Sequence, residues 1–239
     1  MISGSFGRFD ETNDIRQKIL HNRTFDHELE GNPVTAIVQL DRETTRVRNQ
    51  EIISGLVIDY RMIKLSNLEE QDGRFHVRTD VEPRQVWAEF QIIGKDLVRA
   101  YSSYGRDIVL PVLSHALGAN TEFIRYANFD LQRVYGDYRG HWIGSIYDRE
   151  GHMQKGTFYG NHLEKDDVIG HCWKINKKGM LGFETEYFGN ESLKIRVTKE
   201  GSAQVYNDEI PDERYLRFVL DELKEYMIDE PRTRRRRTF

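Results

Sequence analysis

Between residues 141 and 207 the chain is cut into short apolar or alternating runs by glycine-bearing turns. "HWIGSIY" ends in "DREG", "HMQKGTFYG" and "DVIGHCWKIN" lead to "KKG", "MLGFETEYF" to "GNE", "SLKIRVT" to "KEG", and "SAQVYN" follows. Glycine supplies the backbone conformations that tight hairpins demand. Strands must hydrogen-bond to neighbours, and connections this short permit only antiparallel ones. The segment is therefore predicted to be a meander.

An earlier stretch is patterned the same way. "VTAIVQL" (34–40) is β-branched, and "EIISGLVIDYRMIKL" (51–65) alternates from Leu56 through Ile58, Tyr60 and Met62 as a long half-buried strand does. After the turn "NLEEQDG", "RFHVRTDV" sets Phe75, Val77 and Thr79 against His76 and Arg78. Pro83 closes that strand and "QVWAEFQII" supplies the next. Helical spacing appears in three places. "NDIRQKILHN" offers Asn13 as a cap. "KDLVRAYSSYGRDIVLPVLSHALG" is interrupted at Gly105 and Pro111. "ERYLRFVLDELKEYM" begins after Asp212, with Tyr215, Phe218, Val219 and Leu223 on one stripe.

These patterns predict an α+β fold: antiparallel meander sheets over residues 34–93 and 123–207, covered on one face by helices at 96–117 and 212–227. Strands then helix, twice over, raises the further reading of a diverged duplication. The expected organisation is an extended N-terminal arm (1–12), one α+β half (13–118), a second half (119–229), with one continuous domain over both halves as the alternative, and a flexible Arg-rich tail (230–239).

The 239 residues are 38% hydrophobic and 31% charged, enough apolar material for a core and well short of a disordered composition. A net charge of −4 gives no global field toward nucleic acid or anionic lipid. The single cysteine excludes an intramolecular disulfide and fits a reducing compartment. No apolar run approaches the ~20 residues of a membrane span, and "MISGSFGRFDETND" lacks the order of a signal peptide. The expected location is the cytoplasm, with no membrane contact.

Chemistry concentrates around His141, His152, His162, His171 and Cys172. In a meander these histidines begin strands at opposite edges (His141, His152), sit in a loop (His162), or stand mid-strand (His171). The expectation is turn and sheet-surface imidazoles, with no metal site and no cofactor: neither HExxH nor CxxC is present. The catalytic alternative is a hydrolase, metal-dependent or not, built from His141, His152 and His171 with Glu184 and Glu186, which share one strand face.

Two further features speak to partners. "FIRYANFDLQRVYGDYRGHW" interleaves aromatics with Arg125, Arg133 and Arg139, and Tyr126 and Tyr138 could stack bases beside them. The tail "RTRRRR" carries Arg232, Arg234, Arg235, Arg236 and Arg237, a self-repelling arm suited to phosphates or an acidic protein patch. With no catalytic motif and two arm-like ends, the sequence points to a non-enzymatic binding or structural protein. It would dock into a larger protein or nucleoprotein assembly through its arms, by a protein partner or self-association. Nucleic-acid binding through the aromatic–Arg surface and tail is the second expectation, and the hydrolase the third.

Overall fold

A computed structural model describes residues 1–72, 74–118, 123–147, 155–187, 191–207 and 209–229. Antiparallel pairing dominates, as the turn pattern predicts. The strands are β1 (Ile2–Arg8), β2 (Thr24–Leu29), β3 (Asn32–Val47), β4 (Gln50–Gln71), β5 (Arg74–Ile93), β6 (Leu97–Ala100), β7 (Arg125–Phe129), β8 (Arg139–Tyr147), β9 (Gly156–Tyr159), β10 (Lys177–Tyr187), β11 (Glu191–Thr198), β12 (Ser202–Val205) and β13 (Met227–Asp229). Eleven of them form one sheet in the order β2-β3-β4-β5-β6-β1-β12-β11-β10-β8-β9, with β7 and β13 branching from β1.

The residues expected to be an N-terminal arm are instead the middle of this sheet. β1 pairs with β6 through Ser5–Arg8 and with β12 through Ile2–Ser5, while Gly7 and Arg8 also pair with β7. Phe6 and Phe9 are the reason. They sit 0% and 3% exposed, one in each of the two hydrophobic clusters, so the segment is held by burial on both faces of the sheet. The two halves of the chain thus share one sheet, joined at β1.

The helices are α1 (Ile15–His21), α2 (Ser103–Ala116), α3 (Leu131–Asp137), α4 (Ile169–Ile175) and α5 (Asp212–Phe218). They cover both faces, not one. Ile53, Ile92 and Val98 pack with α1 and α2, whereas their sequence neighbours Ile52, Ile93 and Leu97 join the cluster that holds α3, α4 and α5. Alternation along each strand produces this division. Residues 97–100, expected to open a helix, form β6, and α2 starts where the Ser102 hydroxyl accepts the Gly105 N–H. Pro111 lies inside α2. The terminal helix is not uniform: after α5 the backbone widens into a π turn (Val219–Leu223) and then tightens into a 3-10 turn (Lys224–Tyr226).

"DVIGHCWKIN", expected as a strand, is helix α4. Asp166 makes it so by accepting the N–H groups of Val168 (3.0 Å) and Ile169 (2.7 Å). One turn on, Trp173 is driven fully into the core against Gly144, where an added methyl would stand 1.4 Å from the indole. "FIRYANFDLQRVY", read as loosely alternating strand, divides into β7 and α3 because Asp130 caps the latter, accepting from Gln132 and Arg133. Among the described residues no helix is long and apolar enough to cross a membrane.

Candidate docking ribbon and buried histidine cluster

β4 and β5 are 22 and 20 residues long, well beyond ordinary strands. β3 pairs with β4 only as far as Ile58, and β6 reaches β5 only at Phe90. Beyond those points the two strands have each other, in unbroken register from Asp59 opposite Val86 to Gln71 opposite Arg74. At 3.4 Å per residue this two-stranded ribbon extends roughly 40 Å. Pro83 does not close a strand; it sits within β5, where the ribbon edge has no further ladder to break.

Directly opposed residues of an antiparallel pair share a face. One face carries Leu68 against Val77, Lys64 against Val81, Glu70 against Phe75 and Met62 against Pro83. Phe75 and Leu68 are each 72% exposed and Val77 68%, and Trp87, at the base of the same face, is 64% exposed. The other face is mostly charged, with half-buried Ile63 and Leu65 set opposite Glu82 and Asp80, and part of it is internally paired: Arg78 bonds Glu69 (3.1 Å) and Asp80 (3.0 Å), and Arg84 bonds Glu82 (3.0 Å). At the base the ribbon is anchored by His27 to Asp59 (2.7 Å) and by Arg61 lying over Tyr104. The ribbon is therefore amphipathic, with its apolar side in water.

The histidines divide differently from expectation. His141, expected on the surface, is fully buried and stacked on Tyr135, with ring centroids 4.9 Å apart. Its Nδ1 stands 3.1 Å from a Glu164 oxygen, and the same carboxylate oxygen accepts the His141 backbone N–H. The ring nitrogens themselves lack hydrogen-bond geometry to any described group, so the contact with Glu164 is electrostatic. The other Glu164 oxygen lies 3.3 Å from Nδ1 of exposed His162. Burial lowers the His141 pKa despite Glu164's pull. Burial works to raise Glu164, but its own backbone N–H, His141 and His162 outweigh it and hold the carboxyl low. Buried Lys178 also sits over Tyr135, with Nζ 4.3 Å from the ring centre, and donates to Gln132 (3.0 Å); burial lowers its pKa to about 8. Such a cluster keeps an imidazole neutral and a carboxylate charged in a closed interior.

The remaining candidates do not join it. His171 is exposed on α4, and Glu184 and Glu186 are exposed on β10, with Glu184 3.9 Å from Lys194. His152 lies outside the described residues. Among those described, no group of three or more His, Cys, Asp or Glu is placed to hold a metal ion. Arg125 pairs with Asp10, Arg133 with Glu225, and Arg139 donates to the carbonyls of Tyr135, Gly136 and Tyr138. Tyr126 donates to Asp107, and Tyr138 donates to Glu222 and stacks on Phe183. The tail arginines Arg232, Arg234, Arg235, Arg236 and Arg237 lie outside the described residues.

The ribbon was missed by sequence reasoning because alternation of Phe75 and Val77 with His76 and Arg78 reads as a strand half-buried in a body. Its signal was length: two paired alternating runs of some twenty residues exceed what a domain of this size spans. Compared with protein-family models, with curated proteins and with solved structures, the chain matches none.

Proposed function

We propose that the chain is a non-enzymatic binding protein that docks into a larger protein assembly, and that the apolar face of the β4–β5 ribbon is its docking element. One observation carries this: five large apolar side chains, Leu68, Phe75, Val77, Val81 and Trp87, are exposed on one face of a ribbon, uncovered by any of the described residues. An isolated two-stranded hairpin is marginal in water and gains stability when its apolar face is covered. Contiguous apolar patches on otherwise polar chains mark interaction sites. The Arg-rich tail remains a second contact suited to an acidic surface on the same assembly.

The histidine cluster supports a structural role better than a catalytic one. Its imidazole is 0% exposed and stacked, and its carboxylate is committed to two backbone N–H groups as well as two histidines. The test of the docking reading is a variant with residues 62–83 replaced by a two-residue turn. The full chain should carry associated mass in native cell extract, and the variant should keep the far-ultraviolet spectrum of the body and lose that mass. Equal association with and without the ribbon would sink the reading.

A further inference from the structure

We infer that the occupant of the ribbon's apolar face is the same ribbon of a second copy of this chain, so that two ribbons pack face to face about a two-fold axis. The inference rests on the docking reading above and names its partner. Charge is the first argument. Residues 60–85 carry five Arg or Lys and five Asp or Glu, a net of zero, and on the polar face Arg78 and Arg84 pair with Glu69, Asp80 and Glu82 within the ribbon. A neutral ribbon has no field for nucleic-acid phosphates or anionic lipid, and it does not repel its own copy.

Order along the strands is the second argument. A two-fold axis lying between the faces and crossing the strands at Asn67 and Arg78 superposes position 64 on 70 in β4 and 75 on 81 in β5. The only two charged residues of the apolar face from Met62 to the tip are Lys64 and Glu70. The axis sets Lys64 of each copy over Glu70 of the other, and Phe75 over Val81. A face that matches itself in this way is what an isologous interface requires. Facing sheets pack about 10 Å apart, and the two ribbons would form a small sandwich in place of two marginal hairpins.

Area sets the strength. The free part of each face measures about 34 Å by about 10 Å, roughly 340 Å² per copy against the ~800 Å² per partner of a standard interface, so the dimer is weak and dissociates on dilution. Sedimentation velocity of the full chain from about 1 µM to about 100 µM should show the mass rising from 28.2 kDa toward twice that value. Phe75→Asp, at an exposed position that leaves the body intact by circular dichroism, should remain monomeric throughout. Lys64→Glu and Glu70→Lys should each weaken dimerisation several-fold, and the double exchange should restore it. A chain monomeric at every concentration overturns the inference, as does a dimer indifferent to Phe75→Asp and to charge exchange. Phe75-dependent binding to phosphatidylcholine vesicles by a monomeric chain also overturns it. If the chain stays monomeric while removal of residues 62–83 still strips a different protein from it, self-association fails and the docking reading stands.

Discussion

Asp212→Asn is expected to cost about 2–3 kcal/mol, and the reasoning starts from Arg99. Its side chain is 0% exposed in the middle of the sheet, between the rings of Tyr101 (4.3 Å) and Tyr215 (4.4 Å). Its guanidinium donates to the Ser3 carbonyl (2.7 Å), to Gln91 (2.8 Å) and to Asp212 (2.5 Å), which opens α5. Asp212 is the sole carboxylate bonded to it among the described residues, and so ties α5 to β6 and β1. Breaking a buried ion pair by removing one partner costs about 3–5 kcal/mol. The figure is reduced because the Asp212 side chain is 39% exposed and because two ring faces and two carbonyl oxygens still face the cation. For a chain of this length that loss lowers the melting temperature by roughly 4–12 °C. The assay is urea unfolding of Asp212→Asn, Arg99→Met and the double variant at neutral pH. Arg99→Met with Asp212→Asn should be less destabilised than the sum of the singles by about 1 kcal/mol or more, because the second change removes a charge already orphaned. Strict additivity, or a single Asp212→Asn loss within about 0.5 kcal/mol, would refute the reasoning.

Gly144→Ala should destabilise by about 3 kcal/mol or more and shift tryptophan fluorescence, since the new methyl lands on the Trp173 ring; an unperturbed emission maximum would refute it. Lys178 has a folded pKa of about 8, below its unfolded value, so the unfolded chain binds more protons between those values. Its contribution therefore rises by about 3 kcal/mol as pH climbs from about 8 to about 10. Lys178→Met should remove this rise in denaturation midpoints across that window. His141 is held below its ordinary value, so stability should fall as pH drops below about 6.5 and the unfolded chain takes up the proton first. His141→Phe, which keeps a ring on Tyr135, should flatten that acid limb relative to neutral pH, and an unchanged limb assigns the loss elsewhere.

The antiparallel character was legible because alternation and glycine turns are local signals, and β10 and β11 follow from them directly. What escaped depended on partners distant in the chain. β1 looks like an arm until Leu97–Ala100 and Ser202–Val205 flank it. "DVIGHCWKIN" carries β-branched residues suited to a strand, and only the Asp166 cap and the seat for Trp173 make it helical. His141 and Glu164 are 23 positions apart, and their meeting requires β8 to pass beside the Leu163–Lys165 turn. Glu184 and Glu186 share a strand face, and the sheet turns that face outward.

The placement of β1 has a consequence for synthesis. Ile2 and Val205 are ladder neighbours, yet some two hundred residues are made between them. A strand translated that far ahead of its partner must stay out of wrong pairings until the last of its companions leaves the ribosome, and contacts of such separation close slowly. The seam between β1 and β12 cannot close until then. Nascent chains released before Ser202–Val205 emerge should therefore accumulate with an open seam, and the growing polypeptide should depend on protection by chaperones up to that point.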